Sequence, residues 1–115
     1  MKQFDLAIPK ATTKAYELVF KTNAGVYEDI TGWTVYFTAK EKRADSDANA
    51  KISIKQTTHD NPTQGTTVIT LTSDDTDIDV DSYWYSIDYK DDDGNSGVLV
   101  TGKLKIEDAV RDVRD

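Results

Sequence analysis

Thr31-Gly32-Trp33-Thr34-Val35-Tyr36-Phe37-Thr38-Ala39-Lys40 decides the fold class of this 115-residue chain. From Trp33 onward the side chains alternate with period two. Trp33, Val35, Phe37 and Ala39 point one way, and Thr34, Tyr36, Thr38 and Lys40 point the other. Consecutive residues of a strand leave opposite faces, so the pattern describes a strand with one side buried. Its β-branched and aromatic residues suit such a pleated, half-buried surface. Thr31-Gly32 reads as a turn ahead of the strand, and Lys40-Glu41-Lys42 makes its exit polar. The pattern predicts the central strand of a β-sandwich, with Trp33 as the largest single piece of core.

Working outward, the same period recurs. Phe4, Leu6 and Ile8 alternate until Pro9, which suits an edge strand or the end of one. Tyr16, Leu18 and Phe20 form a uniformly large apolar face, followed by a turn signal at Asn23-Ala24-Gly25. Ile30 is placed as a plug at the sandwich edge. Glu41 to Ala50 lacks an apolar stripe and reads as a loop. Ile52 and Ile54 mark a short strand, and Asn61-Pro62 with Gly65 marks a loop. Ile69 and Leu71 face inward in the next strand. Thr72-Ser73-Asp74-Asp75 is suited to cap one helical turn, with Ile78 and Val80 pinning that corner to the core. Tyr83, Tyr85, Ile87 and Tyr89 share one face of a long strand, opposite Ser82, Trp84, Ser86 and Asp88. A hairpin turn at Asp91-Asp92-Asp93-Gly94-Asn95 returns the chain, with Val98, Val100, Leu104 and Ile106 on one face. Gly102 falls in phase with them, as a bulge or a close approach. The sum is an antiparallel β-sandwich of immunoglobulin-like size with about seven strands, over residues 1–107 as one domain. Residues 108–115 are a charged tail.

Composition narrows the function classes. The chain carries 14 basic and 21 acidic residues, a net charge of −7, which repels nucleic acid and anionic membranes. With 37% hydrophobic residues it is too apolar for a disordered chain. It has no cysteine, which removes disulfides, thiolate zinc sites and cysteine nucleophiles. The first residues, Met1-Lys2-Gln3-Phe4-Asp5-Leu6, hold no apolar run of the signal-peptide kind.

The candidate chemistry is sparse. Nine aspartates fall between Asp74 and Asp93 with Lys90 as the sole base. Asp91, Asp93 and Asn95 are the candidate calcium ligands of that run, yet the helix-loop-helix calcium spacing fails, because it would put Tyr89 and Val100 at ligand positions. A solvated acidic edge that discourages strand-to-strand aggregation explains the same residues, and no metal or other cofactor is expected. His59, the single histidine, lies beside Asp60 in a polar loop and reads as exposed. No serine sits in a nucleophile motif and no glycine-rich phosphate loop is present, so the expectation is a protein that is not an enzyme. Tyr36 and Trp84 lie opposite the core-facing sets. Outward rings form a protein interface or a sugar platform, unless a loop covers that face or the phase is inverted.

The ordered set Asp29-Ile30-Thr31-Gly32-Trp33-Thr34-Val35-Tyr36-Phe37-Thr38-Ala39-Lys40, Ile69-Thr70-Leu71-Thr72-Ser73-Asp74-Asp75-Thr76, Tyr83-Trp84-Tyr85-Ser86-Ile87, Asp93-Gly94 and Thr101-Gly102-Lys103-Leu104-Lys105-Ile106 resembles the N-terminal β-sandwich domain of phage baseplate upper proteins and related domains of phage tail and fibre proteins. Ser82 stands where that family usually has glycine. The resemblance implies a structural module of a virion, made in the host cytoplasm, with no catalytic residues to carry over. Its implied partners are other phage structural proteins or further copies of itself. A cell-surface or carbohydrate-binding module is the alternative.

Overall fold

The computed structural model describes residues 2–22, 24–42, 44–46 and 49–108. Asn23 of the first turn, Arg43, Asp47 and Ala48 of the polar loop, and the tail from residue 109 lie outside the described residues. Within them the chain is all-β. Its strand segments are β1 (Lys2–Gln3), β2 (Leu6–Pro9), β3 (Lys14–Val19), β4 (Thr34–Lys40), β5 (Ile52–Gln56), β6 (Thr66–Leu71), β7 (Ser82–Lys90) and β8 (Ser96–Glu107), with a 3-10 turn at Pro62–Gln64.

The larger sheet runs β1-β8-β7-β4-β5, with β2 also on β8. β1 and β2 share one register against β8 and amount to a single edge strand interrupted at Phe4 and Asp5. Both run parallel to β8, so the sheet is mixed rather than antiparallel. Most of the chain separates Pro9 from Ser96, and a pairing that distant leaves no mark in local alternation. β7, not β4, is the middle strand; β4 lies between it and the edge strand β5. β3 and β6 pair antiparallel in a separate two-stranded sheet, from Lys14 opposite Leu71 to Val19 opposite Thr66.

One core joins the two sheets. Phe37, Val35 and Ala39 of β4, Ile69 and Leu71 of β6, Leu104 and Ile106 of β8, and Ile8 and Ile30 are fully buried. Phe37 is the largest of these, and it stacks on Tyr85 with centroids 5.4 Å apart. Trp33 is only half-buried, just outside β4. It closes the end of the core instead of filling its middle, stacked on Tyr89 at 5.1 Å and edge-on to Phe20 at 5.6 Å. The turn before it is set by Gly32 at φ 82° and by the Trp33 N–H bonding the Ile30 carbonyl at 3.0 Å. Asp29 organises that turn, accepting the Thr31 N–H at 3.0 Å and its hydroxyl at 2.6 Å. These two bonds hold the Asp29 carboxyl below its ordinary pKa.

The β8 phase departs from simple alternation. Ile87 faces Val100 but Asp88 faces Val98, so Leu99 is an extra, bulged residue. The bulge reverses the phase and turns Val98 outward, 44% exposed, although the alternation put it on the core face with Val100. Gly97 then comes opposite Tyr89, whose ring lies 2.8 Å from where a Cβ on Gly97 would stand. Gly102 is a close approach: a Cβ there would meet the Phe4 carbonyl oxygen at 2.1 Å. That carbonyl accepts the Tyr85 hydroxyl, while the Phe4 N–H bonds Thr101 O and the Lys103 N–H bonds Asp5 Oδ1, both at 3.0 Å. Phe4 itself is 56% exposed, so the first apolar alternation contributes only Leu6 and Ile8 to the interior.

The corner after β6 closes as its sequence suggests. The Thr72 N–H bonds Asp75 Oδ2 at 2.9 Å and the Asp75 N–H returns to Thr72 Oγ1 at 3.2 Å. Ile78 packs on the core, but Val80 stands 50% exposed at the tip and does not pin the corner.

Candidate interaction surface

The side of the larger sheet that faces away from the core is built by the complement of the buried set. Strand alternation that sends Val35, Phe37 and Ala39 inward sends Tyr36, Thr38 and Lys40 outward, and the same holds for Trp84, Ser86 and Asp88 of β7. Cross-strand register sorts them into rows. Lys40, Trp84 and Lys103 form one row, Thr38, Ser86 and Thr101 the next, and Tyr36 and Asp88 with Val98 the third. All of these except Lys103 and Val98 line a groove of about 440 Å³. Tyr36 and Trp84 thus share a site, both half-buried.

Its chemistry is aromatic, hydroxylic and basic. The Lys103 ammonium lies 5.0 Å from the centroid of the Trp84 ring, an attraction worth about 0.5–1 kcal/mol at an exposed position. Lys40 Nζ donates to the Asp45 carbonyl at 2.9 Å. Lys55, opposite Tyr36, and Lys105, opposite Ser82, extend the basic character along both flanks, and Lys90 adds to it at the hairpin end. Asp88 is the acid in the middle. Its Oδ1 is buried with no hydrogen-bond partner among the described residues. Lys40 and Asp88 were legible as outward positions, but the convergence of the other lysines on them needed the register.

The other sequence candidates are structural in their contacts. Asp91, Asp92 and Asp93 bring carboxylate oxygens within 4.8 Å of one another. Yet Asp91 Oδ1 accepts the N–H groups of Asp93 at 3.0 Å and Asn95 at 2.8 Å, and the Asp91 N–H bonds the Asn95 carbonyl at 2.8 Å. Asp91 is therefore a turn organiser, with Gly94 at φ 89° completing the loop. His59 is half-buried, not exposed. Its Nε2 donates to the Trp33 carbonyl at 2.8 Å, which leaves Nδ1 to accept the hydroxyl of the buried Thr67 at 3.0 Å. It ties the entry of β4 to β6 of the second sheet.

Burial perturbs the tyrosines more than any other titratable groups. Tyr85 is pushed up to about 12 by burial, aided by the nearby Asp5 and Tyr16. Burial also raises Tyr83, reinforced by Asp79, and Tyr16. Tyr83 and Tyr85 belong to the core and Tyr16 packs against it, with the Tyr83 hydroxyl donating to the Asp79 carbonyl and the Tyr85 hydroxyl to the Phe4 carbonyl. No helix among the described residues is long and apolar enough to cross a membrane. No protein-family model matches the chain, and comparison with curated proteins gives no significant match.

Proposed function

We propose that this chain is a non-enzymatic structural module of a phage particle, associated with the baseplate, tail or fibre, and that it acts through protein–protein contacts. In this reading residues 1–107 form a two-layer β-sandwich of immunoglobulin-like size whose rigid exterior is the working part. The observation that carries it is the groove of Tyr36, Thr38, Trp84, Ser86 and Asp88 on the outer sheet face, where two aromatic rings stand among lysines on a chain of net charge −7. Half-buried rings outside a core are enriched at protein interfaces. The ordered motifs that resemble those of phage baseplate and tail domains supply the biological setting. The test is composition: mass spectrometry of purified particles from the host that carries this gene should find the chain in stoichiometric amounts, among head, neck and tail proteins. Its absence from particles, with housekeeping genes on both sides of its own, overturns the assignment.

A cell-surface or carbohydrate-binding role is the second reading, favoured by the hydroxyl row of Thr38, Ser86 and Thr101 beside the rings. A sugar stacks on an open ring face, however, and Lys103 lies over Trp84. A glycan array run with and without chelator decides it, since Asp91, Asp93 and Asn95 would supply the calcium dependence.

A further inference from the structure

The charges of this chain are segregated. The outer face of the larger sheet carries Lys40, Lys55, Lys90, Lys103 and Lys105, against Asp88 at its centre, Asp5 on the Lys103 N–H and Glu107 at the end of β8. The corner between β6 and β7 carries Asp74, Asp75, Asp77, Asp79 and Asp81 and not one basic residue. Asp74, Asp77, Asp79 and Asp81 are exposed there, and Val80 stands among them as an apolar tip, 50% exposed. One surface is thus a basic rim around an aromatic groove, and the other is an apolar knob ringed by carboxylates. The two surfaces are opposite in charge, and each has an apolar centre.

We propose that the groove of Tyr36 and Trp84 receives the acidic Asp74–Asp81 corner of a second copy of this chain. Val80 seats against the Tyr36 ring, beside the Trp84 ring that Lys103 covers, and Asp77 and Asp79 meet Lys103 and Lys105. The contact joins two different patches, so it is heterologous and builds a ring or a stack rather than a two-fold dimer. This rests on the structural role proposed above and names its partner and its polarity. Lys103 over Trp84 agrees with it, because a cation on the ring prepares the groove for carboxylates more than for a neutral sugar.

The test uses light scattering on the full chain. At low salt the mass should exceed the 12.9 kDa of one copy and rise with concentration. In about 1 M salt, where the screening length falls to about 3 Å, it should return to that of a monomer. Two charge-reversed variants make the polarity readable. Lys103→Glu with Lys105→Glu gives an acidic face, and Asp77→Lys with Asp79→Lys gives a basic corner. Each alone should be monomeric with an unchanged circular dichroism spectrum, and an equimolar mixture should recover the wild-type mass. A milder pair, Lys103→Gln and Asp79→Asn, should each weaken self-association several-fold and guards against misfolding of the reversed chains. A wild-type chain that stays monomeric at low salt, an assembly indifferent to these substitutions, or capture of an acidic polysaccharide with no self-association overturns the proposal. Particle composition is read separately, so failure here leaves the virion assignment standing, and failure there leaves self-association standing.

Discussion

Substituting Gly102 by alanine is the sharpest perturbation the fold offers. Gly102 lies inside β8, and its backbone is not left-handed, so conformational strain is not what requires glycine there. Space is. The new Cβ would stand 2.1 Å from the Phe4 carbonyl oxygen and 2.8 Å from its carbon. Those are backbone atoms, and they must retreat by roughly 1 Å or more to reach an ordinary contact. The retreat opens the place where the N-terminal edge strand crosses from β1 to β2. It loosens the Phe4 N–H bond to Thr101, the Lys103 N–H bond to Asp5 and the Tyr85 hydroxyl bond to Phe4. At about 1 kcal/mol net for each hydrogen bond the loss is roughly 3 kcal/mol. For a domain of this size that corresponds to a fall in melting temperature of roughly 12 °C. Thermal unfolding followed by circular dichroism measures it, and hydrogen exchange at the Phe4 and Lys103 amides locates it. Combined with Tyr85→Phe the losses should fall short of additive, because both act on the same carbonyl. A Gly102→Ala protein within about 0.5 kcal/mol of wild type, with both amides still protected, would refute the close approach.

Three further outcomes follow from the same packing. Tyr85 is raised to about 12 when folded against about 10 when unfolded, so its contribution is complete below about pH 10 and drains away up to about pH 12. After discount for solvent screening the loss is roughly 1–2 kcal/mol, and denaturant titrations across that window should find the slope reduced in Tyr85→Phe. His59→Ala removes the bonds to Trp33 and Thr67 and strands a buried hydroxyl; it should cost roughly 1–3 kcal/mol, and an unchanged unfolding midpoint would mean that the loop is merely exposed. Gly65→Ala places a Cβ 2.5 Å from the Phe20 carbonyl oxygen at φ 68°, whereas Gly25→Ala meets open space at φ 80°. The second should cost about 1 kcal/mol and the first clearly more, so equal losses would contradict the packing around Gly65.

Local alternation carried much of the fold. The inward set of β4 and β7, the turn at Thr31-Gly32 and the cap offered by Thr72 ahead of Asp75 were readable, because each depends on neighbours within a few residues. Tyr36 and Trp84 were readable as outward for the same reason. Gly102, by contrast, was marked as a bulge or a close approach, and only Phe4, from the far end of the chain, decided between them. The departures all involve partners distant in the chain. Val98 turned outward because a bulge at Leu99 answers to β7, and Trp33 closed an end because Tyr89 and Phe20 were there to receive it. His59 looked idle because its two partners lie 26 residues before it and 8 after it.

The chain by itself determined that it would be built of strands, which faces would be apolar, and how acidic its exterior would be. Tertiary structure decided that β1 and β2 run parallel to β8, that β7 holds the middle of the sheet, and that lysines scattered from Lys40 to Lys105 gather around two rings. The physical reason is range. A side chain's direction along a strand is fixed by backbone geometry at the next residue, whereas strand order and register are fixed by hydrogen bonds and packing between segments that meet only after folding.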